Sequence, residues 1–494
     1  MTRLTRRAVL GGLAAGVAGQ ALGAPLSSPR PVPRAQIVPA EALRVASSQD
    51  LIAAAKLGGN VGFVVADAKT GRILESVSAD TPMPPASVTK AITSLYALEH
   101  LGGDYRFGTR LIATGPIRGG VISGDLVLAG GGDPTLSTDT LGDMAAALRR
   151  AGVTGVSGRF LVWGGALPYT HEIDPAQPDH VGYNPAVSGL NLNFNRVHFE
   201  WKRVKGGYDV GMDARGERFL PRAYTAKIAV KERALPIYTY SDKGRVEEWT
   251  VASRALNKAG SRWLPVRRPE LYAADVFQTL ARAQGVPLGN PEIVRDLPGG
   301  TVIVEHNSDS LRPLLTEMMR YSTNITAEAV GMTASARRGG LASHAGSGRL
   351  MTEWLKDRAG ARSARFVDHS GLGGDSRISA GEMVGALVRL GPAAGLRGLM
   401  KDFTMRDEAD RVIRNHPLRV EAKTGTLNFV SALAGWMTAP SGADMVFAIF
   451  SGDVARRDRI PNAERERPQG GREWIRRSRR LQQQLIERWG AVHG

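Results

Sequence analysis

The stretch TPMPPASVTKAITSLYALEHLGG, residues 81–103, decides how the rest of this 494-residue chain is read. Pro84 and Pro85 stop a helix from growing backwards, because proline lacks an amide hydrogen and its ring crowds the preceding turn. Val88, Ala91, Ile92, Leu95 and Leu98 then recur at helical spacing, and Gly102-Gly103 ends the pattern. The stretch therefore reads as a helix with one apolar face, Ser87 at its N-terminus and Lys90 three residues on, on the same side. A helix cap would account for Ser87, since serine is a favoured one, but it leaves the buried-side lysine without a reason.

Upstream, NVGFVVADAKTGRILESVSAD (60–80) contains two β-rich runs, 61–66 and 73–77, joined by a turn that holds Lys69-Thr70-Gly71. Gly71 supplies the positive φ of such a turn, so Lys69 is expected to be exposed and dispensable. Downstream, residues 108–297 break into short β-like runs punctuated by Gly, Asp and Pro, with one helical stretch at 141–151. Helical patterns return at 311–336 and 380–390, followed by a second hairpin, NFVSALAGWMT (428–438) and MVFAIFSGD (445–453). Strands at both ends of a helical middle predict an α+β fold, an antiparallel sheet with helices whose C-terminal hairpin completes the sheet. On this reading 45–107 and 298–494 form one unit, and 108–297 is a large, mostly β insertion of one or two domains.

The chain is too long for one ordinary core, and the 43% hydrophobic and 22% charged composition is that of a folded protein. The absence of cysteine excludes disulfides, thiolate metal sites and a cysteine nucleophile. Arg3, Arg6 and Arg7 precede an apolar run of roughly 15 residues, too short to span a bilayer, so residues 1–24 read as an export signal of the Sec or twin-arginine kind. The Pro-rich residues 25–44 read as a linker. The expected location is the periplasm or cell-wall space. A net charge of +17 then concerns wall carboxylates or a peripheral membrane contact rather than nucleic acid. Much of that charge lies in the tail, where Trp474, Ser478, Leu481, Leu485 and Trp489 share one helical face, predicting an amphipathic helix docked on the body.

No serine has glycine at both i−2 and i+2, and no His-Glu-x-x-His or Walker motif occurs, so common hydrolase, zinc and nucleotide sites are excluded. Three short signals remain: Ser87-Val88-Thr89-Lys90, Ser322-Thr323-Asn324 and Lys423-Thr424-Gly425. Each is weak alone, and Ser322 could be a polar residue in a turn between helices. In this order the set resembles the active site of penicillin-binding proteins and serine β-lactamases. With 231 residues between Lys90 and Ser322, it is most similar to the low-molecular-mass class C penicillin-binding proteins, the S13 peptidases. SGDLVLAGGGDPTLS (123–137), LNLNFNRV (190–197), YSTNITAE (321–328) and VDHSGLGGDSRIS (367–379) add to the likeness. Gly373-Gly374 depart from it, in a loop usually richer in Ser and Arg.

The resemblance implies a transpeptidase-like fold and a D-Ala-D-Ala carboxypeptidase or endopeptidase acting on peptidoglycan stem peptides, acylated by β-lactams, without metal or cofactor. Ser87 would be the nucleophile and Lys90 its base, which requires an amine held about three pH units below its usual value near 10.4. Burial and a neighbouring cation would lower it; Lys423 would be that cation, and with Thr424 would receive the substrate carboxylate. Ser322 would touch the base and relay protons, and Asn324 would bind the substrate amide. Gly425 would admit substrate backbone to the strand edge, and the amides of Ser87 and Thr426 would form the oxyanion hole. The rivals are a β-lactamase or Ser-x-x-Lys esterase with the same acylation machinery, and a non-catalytic wall-binding protein.

Overall fold

The computed structural model describes residues 45–340, 343–407 and 409–494; the expected export signal, 1–24, and linker, 25–44, lie outside them. At its centre is a six-stranded antiparallel sheet in the order Lys401–Asp402, Arg419–Leu427, Val430–Thr438, Asp444–Gly452, Asn60–Asp67, Ile73–Val77. The C-terminal hairpin thus closes against the N-terminal strand, with Val64 opposite Ala448. Successive residues of a strand point to opposite faces, and here both faces are covered. Val64, Ala66, Ala434, Trp436 and Ala448 pack against Val88, Ala91, Ile92 and Leu95 of the helix Thr89–Leu101. Phe63, Val65, Leu433 and Ile449 pack against the tail helix Gly471–His493. Trp474, Ser478, Leu481, Leu485 and Trp489 are all buried there, as their spacing requires. The Trp489 ring sits 5.4 Å from Phe63 and 5.7 Å from Phe447; replacing such a ring by alanine costs about 3–5 kcal/mol.

The insertion is built on a five-stranded sheet, Pro291–Ile293, Phe160–Trp163, Leu126–Gly130, Gly108–Ala113, Thr301–Asn307. Three three-stranded sheets pack with it around one apolar core that includes Ile122, Leu128, Val162, Phe199, Trp249 and Phe277. Because Thr301–Asn307 pairs with Gly108–Ala113, the chain leaves the insertion near Ser308, not at 298. Four α-helices were not expected from the sequence: Ser48–Ala55, Pro269–Ala283, His344–Ala359 and the short Val454–Asp458. Pro269 occupies the first helical position, where a missing N–H costs nothing. The pattern at 311–336 is two helices, Leu311–Tyr321 and Asn324–Arg338, and the break between them falls at Ser322-Thr323.

Candidate active site

Ser87 lies in a short 3₁₀ turn, Ala86–Val88, that feeds the helix Thr89–Leu101. The turn is held close against the strand Arg419–Leu427. A Cβ on Gly425 would stand 2.6 Å from the Pro85 carbonyl oxygen and 3.0 Å from the Ser87 nitrogen. Contacts that short cannot be met without moving backbone, so Gly425 makes room for the turn that carries Ser87. The same proximity brings Ser87 and Thr426 together at the wall of one cleft of about 1800 Å³.

Lys90 is fully buried beneath Ser87. Its Nζ is 3.0 Å from Ser87 Oγ, 2.8 Å from Asn324 Oδ1 and 2.8 Å from the Ser370 carbonyl oxygen. As an ammonium it donates to all three. As a neutral amine it has two hydrogens, and spending them on Asn324 and Ser370 leaves the lone pair facing the Ser87 hydroxyl. Burial pushes Lys90 down from 10.5 to about 8, against the opposing pull of Glu328 and Asp368. Of the two causes expected, burial and a cation at Lys423, burial is the larger. Lys423 is itself buried, and burial followed by the charges of Lys90 and Lys401 pushes it well below 10.5. Two ammonium groups this close and this buried disfavour one another's charge.

Ser322 ends the helix Leu311–Tyr321 at φ 60°, ψ 37°, a left-handed conformation that serine adopts at a cost of about 1 kcal/mol or more. Its Oγ accepts from Lys423 Nζ at 2.9 Å, so Ser322 is joined to Lys423 and not, as expected, to Lys90. Asn324 begins the next helix and has both ends engaged, Oδ1 by Lys90 and Nδ2 by the carbonyl of Tyr183 at 2.9 Å. One Nδ2 hydrogen is left for a substrate carbonyl. Thr424 is exposed on the strand but, unlike Thr426, does not line the cleft.

Three participants were not read from the sequence. The Ser370 and Tyr183 carbonyls are main-chain acceptors and carry no residue-type signal. The third is Glu328, a buried carboxylate behind the loop 368–374. The glycines of VDHSGLGGDSRIS were a usable hint: a Cβ on Gly371, which has φ +74°, would collide with the Ala86 carbonyl. Gly374 likewise leaves space that Arg457 Nη2 fills, 2.7 Å from where a Cβ would be. Among the described residues His198, Glu200 and Asp213 come close enough to suggest a cation site. Arg215 Nη2 already lies 2.9 Å from Glu200 and 2.8 Å from Asp213 and supplies that charge.

The backbone superposes on the crystal structure of penicillin-binding protein 4 from Haemophilus influenzae with a TM-score of 0.72, over 89% of this chain and 99% of that one, at 20% identity. The fold is therefore that of the serine DD-peptidases. Residues 45–468 match the model of the D-Ala-D-Ala carboxypeptidase 3 (S13) family, and the chain belongs to that family. A D-alanyl-D-alanine carboxypeptidase of Actinomadura sp. (strain R39) is 27% identical over 428 residues, 80% of this chain and 78% of that protein. Carboxypeptidase DacB of Mycolicibacterium smegmatis is 29% identical over 430 residues, 82% and 79% of the two chains.

Proposed function

We propose that this chain is a serine D-Ala-D-Ala carboxypeptidase of peptidoglycan stem peptides that works through an acyl-enzyme on Ser87. Family membership supports the activity, and the observation that carries the assignment to these residues is Lys90 Nζ, 3.0 Å from Ser87 Oγ in a buried site that disfavours its charge. Lys90 takes the hydroxyl proton as Oγ bonds to the carbonyl carbon of the penultimate D-alanine. The amides of Ser87 and Thr426 receive the oxyanion. Lys90 passes the proton it took from Ser87 to the departing nitrogen beside it and is neutral again, while Ser322, its oxygen accepting from Lys423, keeps its own hydrogen to bond the leaving group. The C–N bond breaks and D-alanine leaves. Water then attacks the ester, Lys90 takes its proton, and Ser87 regains it.

Lys423 is the receptor for the terminal carboxylate. An arriving anion favours the charged form of Lys423, and that cation disfavours the charge on Lys90, so substrate binding itself strengthens the supply of neutral base. The cleft is larger than the roughly 300–1,000 Å³ of a small-molecule pocket, which supports DD-endopeptidase action on cross-linked strands as a second reading. Penicillin-binding protein 4 of H. influenzae has been solved with a β-lactam, and acylation of Ser87 by such compounds is expected here. A peptidoglycan substrate implies work outside the cytoplasm; among the described residues no helix is long and apolar enough to cross a membrane.

Mass spectrometry of purified pentapeptide muropeptides and cross-linked dimers, with and without the protein, tests this. Loss of one D-alanine per monomer is expected, together with covalent labelling by a fluorescent penicillin, and Ser87→Ala should abolish both. Retention of both in Ser87→Ala would sink the assignment. Release of hydrolysed penicillin within seconds would favour the β-lactamase reading instead.

A further inference from the structure

We propose that Glu328 is a positioning residue for the base: it grips the loop behind the site and aims the Ser370 carbonyl at Lys90, holding the amine in line with Ser87. This rests on the reading of Ser87 and Lys90 as nucleophile and base. Glu328 lies four residues after Asn324 on the helix Asn324–Arg338, so both project from one face. Asn324 reaches Lys90 directly. Glu328, with no exposed surface, reaches it through the loop.

One carboxylate oxygen accepts from the Ser370 amide at 2.8 Å; the other accepts from the His369 amide at 3.0 Å and from His344 Nε2 at 2.7 Å. Two consecutive amides bound to one carboxylate anchor the chain from His369 to Ser370; the Ser370 carbonyl lies in the next peptide, whose Gly371 amide is bound by Asp368 at 2.7 Å. The carbonyl of Ser370 then points at Lys90 Nζ, 2.8 Å away. Asp368 holds the far side of the same loop through the amides of Gly371 at 2.7 Å and Gly373 at 2.6 Å. Gly371 lets the loop lie against Ala86, next to the nucleophile. A neutral lysine has free rotation about its last bond, and only fixed acceptors for its two hydrogens give the lone pair a direction. The Ser370 carbonyl is one of those two acceptors: Glu328 anchors the residue that carries it, and Asp368 holds its peptide plane.

The charged groups facing Lys90 are Glu328 and Asp368 on the loop side and Lys423 on the strand side; His344 and His369 face Glu328. Burial would raise the Glu328 carboxyl, but His344, His369 and the Ser370 amide outweigh it and keep it ionised. Burial and that neighbouring charge raise Asp368 instead, to about 7. A carboxylate is needed because glutamine would turn an NH₂ toward one of the two amides.

The experiment measures acylation of the full protein by a fluorescent penicillin from pH 5 to pH 10, separating the non-covalent binding constant from the acylation rate constant. For Glu328→Gln the plateau rate should fall roughly 10–100-fold with binding changed less than about threefold. The acid limb should move to lower pH, because a charge that favoured the Lys90 ammonium is gone. Glu328→Asp keeps the charge but not the reach, so its rate should fall while the limb stays. A merely structural glutamate would lower the melting temperature of both variants and leave the limb in place. Wild-type rate and limb in a folded Glu328→Gln protein overturn the proposal. Should both variants fail to fold, His344→Gln reads the same contact from the rim of the network: acylation slowed several-fold supports the proposal and an unchanged rate overturns it. Ser87→Ala is the parallel control, since labelling that survives it refutes the nucleophile assignment rather than the role of Glu328.

Discussion

Lys69-Thr70-Gly71 and Lys423-Thr424-Gly425 are the same three residues in two places, and almost every physical property of the two copies differs. In the first, Asp67 Oδ1 accepts from the Thr70 hydroxyl at 2.6 Å, the Thr70 amide at 2.7 Å and the Lys69 amide at 3.2 Å, while Lys69 itself is exposed. It is a self-contained turn whose glycine, at φ +72°, allows the chain to reverse. In the second, the lysine is buried under the cleft, tied to Ser322 Oγ, and the glycine faces the nucleophile turn of a segment more than 300 residues away in sequence. Local hydrogen bonds explain the first copy completely. Only long-range packing explains the second.

The largest difference should appear at the lysines. Lys423→Ala is expected to reduce kcat/KM for a D-Ala-D-Ala peptide by roughly 10²–10³-fold, and Lys69→Ala to leave it within about twofold. Equal effects of the two substitutions in steady-state assays would erase the distinction drawn here.

The pH dependence sharpens it further. Lys90 must be neutral to act as base, and its value of about 8 lies below the ordinary 10.5. Below that value, acylation by a penicillin should therefore rise about tenfold per pH unit and level off above it. Lys69→Ala should not move this limb; a limb displaced by that variant would mean the turn communicates with the site.

The glycines come next. Gly425→Ala places a methyl 2.6 Å from the Pro85 carbonyl oxygen, and acylation should fall roughly 10–100-fold as the nucleophile turn shifts. Gly71→Ala meets Val388 at 3.2 Å and forces a positive φ, so thermal melts should show a loss of about 1 kcal/mol with acylation untouched. The smallest effects belong to the threonines. Thr70→Val removes the bond to Asp67 and should cost about 0.5–1.5 kcal/mol of stability. Thr424→Val, at an exposed position, should raise KM only a few-fold, and no change in KM would remove Thr424 from the substrate-binding set.

The legibility of the rest of the molecule follows the same division. The helix Thr89–Leu101, the hairpin Asn60–Asp67 and Ile73–Val77 and the tail helix were readable because burial of one or both faces imposes a period on neighbouring residues. The helix Pro269–Ala283 was missed because its first residue is a permitted proline inside a region dominated by short strands. The 311–336 pattern hid its own interruption, since Ser322 at a positive φ breaks the helix without a glycine to mark it. The return from the insertion was misplaced by one strand because Thr301–Asn307 has a strand's composition but not its partner's address.

By itself, then, the sequence determined the residue types that acyl transfer needs, their order along the chain, and the local elements that carry them. Tertiary structure alone decided which groups touch: Ser322 with Lys423, Asn324 with the Tyr183 carbonyl, Gly425 with Pro85, and Glu328 with the loop that grips Lys90. The physical reason is that periodicity and capping are set by residues within a turn or two of each other. Burial, main-chain acceptors and the charge state of a lysine depend instead on atoms supplied by distant segments, and these exist only once the chain has folded.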